Sequence, residues 1–161
     1  FIMSENNITL TAKFKKASYL LTIINSDDKA GQISEGGSLG WGSDVVIFAT
    51  PAEGYVFLGW FDEEDNHLSG DLEYLFSMPK RAMQITAKWT RANYEVSLIN
   101  ENNNAGQISG SGNYDFNSLV VITATPNTGY EFIGWYIGEE LFSNSMDYQF
   151  SIAEALKLTA K

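Results

Sequence analysis

The chain repeats itself. Residues 19–61 align with residues 94–136 without a gap, and about half of the aligned positions are identical. The block Ala30-Gly31-Gln32-Ile33-Ser34 recurs as Ala105-Gly106-Gln107-Ile108-Ser109. Val45-Val46-Ile47 recurs as Val120-Val121-Ile122, and Ala49-Thr50-Pro51 as Ala124-Thr125-Pro126. Gly54-Tyr55, Phe57 and Gly59-Trp60 recur as Gly129-Tyr130, Phe132 and Gly134-Trp135. Beyond this block two small deletions bring Tyr74, Phe76 and Met78 onto Tyr148, Phe150 and Ile152, and Thr86-Ala87-Lys88 onto Thr159-Ala160-Lys161. A self-match of this density fixes the organisation before any local reading: the chain is a tandem array, and each unit is one structural module.

The same signature opens the chain. Phe1 and Met3 are followed by Thr11-Ala12-Lys13-Phe14, so residues 1–17 read as the closing strands of a preceding repeat. The expected division is therefore 1–17 for that tail, 18–92 for the first unit and 93–161 for the second. A start at Phe1 rather than Met is read as that of a fragment, whose targeting signals lie elsewhere.

Within a unit, apolar residues alternate with period two, the pattern of a half-buried strand. Val120, Ile122 and Ala124 share one face while Thr123 and Thr125 share the other. Tyr148, Phe150 and Ile152 alternate with Gln149 and Ser151, and Leu156, Leu158 and Ala160 with Lys157, Thr159 and Lys161. Ile8, Leu10, Ala12 and Phe14 alternate in the same way. The segment Tyr55–Phe61 is apolar on both faces, which predicts a central strand covered on both sides. The glycine inside it, Gly59 or Gly134, marks a bulge or the close approach of a neighbouring aromatic ring. Pro51–Gly54 and Pro126–Gly129 are turns. No segment holds a helical period over ten residues; residues 79–83 and 153–156 allow one helical turn at most. Each unit thus reads as five to seven short strands. The fold class is mainly all-β: two tandem small β domains, β-grasp-like or small sandwiches, forming an elongated rod.

Units of about 70 residues lie near the lower size limit for independent folding. With no cysteine in the chain, no disulfide can help. The aromatic content, 14%, supplies the missing apolar area, since each buried ring removes about 150–250 Å² from water. Tyr55, Phe57, Trp60, Tyr130, Phe132 and Trp135 are the expected core rings.

These residues resemble the divergent InlB B-repeat family, related to Listeria–Bacteroides type repeats. The resemblance rests on Tyr19–Ile23, Gly31–Ser34, Trp41-Gly42, Val45–Pro51, Gly54–Phe61, Tyr74–Met78 and Ile85–Trp89, and on a second copy from Tyr94 to Lys161. Asn117 stands where the pattern has glycine, and Ile152 where it has methionine. The resemblance implies a β-grasp-like mixed sheet, an extracellular or cell-surface location in a bacterial protein, a role as spacer or adhesion-supporting module, and no catalytic residues to carry over.

Composition narrows the chemistry. With 10 basic and 20 acidic residues the net charge is −10, which disfavours nucleic-acid binding through clustered cations. Zero cysteines and the single His67 exclude thiol catalysis, Cys-ligated metals and any site needing two histidines. No apolar run is long enough to insert in a membrane as a helix. The acidic run Asp62-Glu63-Glu64-Asp65-Asn66 fits no calcium loop spacing and reads as a hairpin turn, and Asn100–Asn104 with Ser26–Lys29 as an equivalent polar loop. The acids differ between the copies, so no carboxylate pair is set up for glycoside hydrolysis. The expectation is a non-enzymatic module with no cofactor and no metal. The first alternative is carbohydrate or host-matrix binding through the loop aromatics Trp41, Tyr114 and Phe116; the second is protein binding by strand addition at a sheet edge. The partner would be a glycan or protein of a host or cell surface.

Overall fold

The structure, a computed structural model, describes residues 9–161. Each unit contains eight strands, more than the alternation alone reveals, because several are only three or four residues long. The first unit comprises β1 (Ser18–Asn25), β2 (Gly31–Ile33), β3 (Gly37–Gly40), β4 (Asp44–Pro51), β5 (Tyr55–Phe61), β6 (His67–Ser69), β7 (Glu73–Ser77) and β8 (Met83–Arg91). The second comprises β9 (Asn93–Asn100), β10 (Gly106–Ser109), β11 (Gly112–Asp115), β12 (Leu119–Pro126), β13 (Trp135–Ile137), β14 (Glu140–Ser143), β15 (Asp147–Ser151) and β16 (Leu156–Ala160). The described residues contain no helix, so 79–83 and 153–156 are plain connections.

The two units share one topology. A five-stranded sheet runs β3-β1-β8-β5-β6 in the first and β11-β9-β16-β13-β14 in the second. A three-stranded sheet runs β2-β4-β7 and β10-β12-β15. The large sheet is mixed: its first and last long strands, β1 and β8, lie side by side in parallel, with Leu21 opposite Met83 and Ile23 opposite Ile85. The matching pair is β9 with β16. A parallel pair needs a long crossover, and here the crossover carries the entire three-stranded sheet. The result is the small mixed sheet that a β-grasp likeness implies, in an all-β version.

The core lies between each unit's two sheets. In β4 the inward residues Val45, Ile47 and Ala49 are buried, and Leu21, Trp60, Met78, Ile85 and Ala87 meet them. The second core repeats this with Val96, Val120, Ile122, Ala124, Trp135, Ile152, Leu158 and Ala160. No polar or charged residue is buried in the described chain. The two indoles are 0% exposed, yet neither N–H is orphaned. Trp60 Nε1 donates to the Asp71 carbonyl at 3.0 Å and Trp135 Nε1 to that of Ser145 at 3.2 Å.

Three expectations are corrected. First, β5 is not covered on both faces. Val56 and Leu58 are exposed, since each unit has only two layers and the outer side of the large sheet is bare. The strand reads as doubly apolar because a bulge reverses its phase: the register against β8 shifts between Phe57 and Gly59. Phe57 and Trp60 therefore both pack on the core side, with ring centroids 5.3 Å apart. At Gly59, φ is +134° and an added Cβ would come within 2.6 Å of His67 Nε2 and of the Ser69 carbonyl oxygen. The approaching groups are thus the His67 imidazole ring and a backbone carbonyl, and at Gly134 they are Leu141, the Ser143 carbonyl and the edge of the Tyr136 ring.

Second, the copy of β5 in the second unit is short, beginning at Trp135, and neither tyrosine joins a core: Tyr130 is 45% exposed, and Tyr55 is half-buried outside the first cluster. Tyr55 pairs across to Arg91 at the far end of β8 and lies under its guanidinium, 5.7 Å from ring centroid to Cζ. β13 pairs with β16 at Trp135 and Tyr136, and Lys161 bonds through its main chain to Ile133 and Gly134.

Third, residues 9–17 form no strand, and Leu10 and Phe14 lie open, Phe14 at 96% exposure. Their counterparts in β8 and β16 are each held between the first strand of their own unit and β5 or β13, and the described residues offer 9–17 no such pair. The readings placed on Phe1, Met3 and Ile8 fall outside the described residues.

Candidate interaction surfaces at the unit joint and loop aromatics

A single residue, Ala92, separates β8 from β9. Both units hold it. Its N–H donates to the Gly54 carbonyl of the first unit at 2.8 Å, and its carbonyl accepts from the Phe116 N–H of the second at 2.8 Å. The Phe116 ring then lies directly over Gly54. A Cβ built on Gly54 would come within 2.2 Å of Phe116 Cδ1, so only glycine permits this approach, and its φ of +79° also requires glycine for the turn itself. Phe116 meets Tyr94 edge-to-face at 6.4 Å from the other side.

The three loop aromatics singled out from the sequence do not form one platform. Tyr114 packs against the second core, and its hydroxyl donates to the Gly110 carbonyl at 2.9 Å. Phe116 is seated in the joint. Only Trp41 lies open, at 44% exposure, with the Lys80 ammonium 4.0 Å from its ring. Next to Phe116, Asn117 has φ +61° and Gly42 beside Trp41 has φ +72°. Asparagine thus replaces glycine at a left-handed position that its short side chain tolerates.

The acidic run is a turn organised by the Asp62 carboxylate. Asp62 Oδ1 accepts from the backbone N–H groups of Glu64 at 2.9 Å and Asn66 at 2.8 Å, and Oδ2 accepts from Asn66 Nδ2 at 3.0 Å. Glu63 pairs with Arg81 and Asp65 with Lys88 on the surface. Among the described residues no group of three or more acids or histidines is placed to hold a metal ion. The Asn66 side chain, followed by its backbone N–H, holds the Asp62 carboxyl below the ordinary aspartate value of 3.8. A carboxylate whose folded pKa is lowered contributes stability above its unfolded pKa and loses it as pH falls through the folded one. A carbon-detected NMR titration is expected to place Asp62 below 3.8, with Asn66→Ala raising it. A midpoint at or above the ordinary value would contradict the turn.

An aromatic slot lies between the sheets. In the first unit Trp89 fills it: the ring lies 4.9 Å from Phe57, its Nε1 donates to Asn25 Oδ1 at 2.7 Å, and its edge rests against Gly31. In the second unit the same slot is a cavity lined by Asn100, Gly106, Phe132 and Lys161 among others. Asn25 and Asn100 are oriented alike, their Nδ2 groups donating to the carbonyls of Gly31 and Gly106. Repeated Asn-x-x-x-x-x-Gly spacing is the sequence trace of this slot, and it is hidden inside an ordinary polar loop.

Two separate β cores and a shared joint define a tandem β-repeat module. The chain belongs to the divergent InlB B-repeat family, whose model matches residues 21–93 and again residues 96–161. That family is a non-catalytic repeat family typical of bacterial surface proteins. It is also 29% identical over 159 residues to a protein of Evansella cellulosilytica named "Putative membrane protein". The match covers 96% of this chain and 22% of that protein, so the chain spans about a fifth of its relative's length. No solved structure matches. No helix among the described residues is long and apolar enough to cross a membrane.

Proposed function

We propose that the chain is a non-enzymatic spacer segment that holds other parts of a bacterial cell-surface or secreted protein away from their base and so supports adhesion. The observation that carries this reading is the one-residue join at Ala92, bonded on one side to Gly54 and on the other to Phe116. Flexible linkers are longer and rich in Gly and Ser. A join this short, tied to both neighbours, transmits orientation from one unit to the next, and nearest-neighbour contact alone builds an extended array. The domain limits that follow are 18–92 and 93–161. The net charge of −10 keeps such an array soluble and self-repelling.

Small-angle scattering tests the shape. A radius of gyration of about 20 Å is expected for two compact units end to end, against about 15 Å for one globule of this length. The smaller value would overturn the spacer reading. Sugar binding at Trp41 is the reading to set against it, because that ring alone among the three loop aromatics is open. Tryptophan fluorescence is expected to stay unchanged across a glycan panel; saturable quenching abolished by Trp41→Phe would replace the spacer with a lectin-like module.

A further inference from the structure

The joint between the two units has an unused counterpart at the head of the first. Phe116 aligns with Trp41, and Ala92 aligns with Ala17. The main-chain bond recurs as well: Trp41 N–H donates to the Ala17 carbonyl at 2.9 Å, as Phe116 N–H does to Ala92 at 2.8 Å. The difference lies in what meets the ring. Phe116 is covered by the glycine turn of the unit before it, while Trp41 is 44% exposed and meets the Lys80 ammonium of its own unit, 4.0 Å from its ring centroid. The other half of the contact is also unused once. Gly129 repeats Gly54 with φ +90° against +79°, yet nothing lies within 4 Å of where its Cβ would stand.

We propose that the Trp41 face is the docking surface for the Pro-x-x-Gly turn of another unit of this repeat joined ahead of Ser18. In that contact the Gly54-type glycine lies flat under the indole, as Gly54 lies under Phe116. The occupant follows from continuity with the observed joint. The same backbone anchor, the same loop position and an aromatic of larger area are already in place at Trp41. The loop aromatic is therefore the coupling element between successive repeats, and its exposure here is that of an unpaired interface. This holds whatever the array carries, and so stands apart from the spacer reading.

The test duplicates residues 18–92 within the full chain, giving residues 1–92 followed by 18–161, so that Ala92 precedes Ser18 as Ala17 does. The leading copy carries Trp41→Phe, leaving one Trp41 at the new joint. Its acrylamide quenching is isolated by difference from a chain in which that residue too is phenylalanine. The expected result is loss of the Trp41 contribution to the level of buried indoles, with Gly54→Ala in the leading copy restoring it. Quenching equal to that of the two-unit protein overturns the proposal. A second arm avoids the added unit. In the two-unit protein, Gly54→Ala and Gly129→Ala impose the same turn strain, but only the first collides with a ring across a joint. Residual dipolar couplings are expected to show changed alignment between the units in Gly54→Ala and unchanged alignment in Gly129→Ala. Alignment that is the same in both variants overturns the role of the glycine–aromatic contact.

Discussion

Replacing Trp135 with alanine is expected to unfold the second unit and leave the first unit's unfolding transition in place. Trp135 is fully buried, meets Phe132 edge-to-face at 5.5 Å and satisfies its N–H on the Ser145 carbonyl. Removing a large aromatic side chain from a core costs about 3–5 kcal/mol. Small domains have a total stability of about 5–15 kcal/mol, and a unit near the lower size limit sits toward the bottom of that range. The loss is therefore comparable to the whole. Because the two hydrophobic cores share no residue, differential scanning calorimetry should resolve one surviving transition. An unchanged thermogram would show that the ring is not what holds the second unit together.

The second large effect concerns the slot. Trp89→Ala is expected to destabilise the first unit by about 3 kcal/mol or more, through loss of its packing on Phe57 and of its bond to Asn25. Asn25→Ala should cost part of that amount, because the indole N–H then has no acceptor. Urea unfolding monitored by aromatic circular dichroism reads both changes. Unchanged stability in Trp89→Ala would mean that the ring does not hold the two sheets together.

These two tryptophans differ in how legible they were. Trp135 sits in a repeated Gly-Trp pair within an apolar run, so its place in a core follows from the sequence. Alternation places Trp89 on the inward face with Met83, Ile85 and Ala87, but its partner Asn25 is 64 residues away. The loop aromatics show the same division. Trp41 and Phe116 occupy one position in the alignment and one backbone arrangement, yet one is open and the other covered. What separates them is a neighbouring unit, which no local pattern contains.

The apolar strand Tyr55–Phe61 was misread for a related reason. Doubly apolar composition has two physical causes, burial on both faces or a phase reversal at a bulge, and only the register of β5 against β8 distinguishes them. Tyr130 is exposed and Tyr55 is half-buried outside the first core, because a matched position in the repeat copies the side chain while burial depends on what the strand lies against.

The sequence by itself determined that the chain is a tandem array of all-β units, which residues of β4 and β12 face inward, and that cysteine chemistry has no residue to carry it. These follow from period, identity and composition, which are local or countable. The tertiary structure alone decided that the first and last long strands of each unit run parallel at the centre of a sheet, that a glycine reverses the phase of β5, and that Phe116 closes over Gly54. Each of these depends on pairing between distant segments, where the free energy rests on register and shape complementarity rather than on any property a short stretch of chain carries alone.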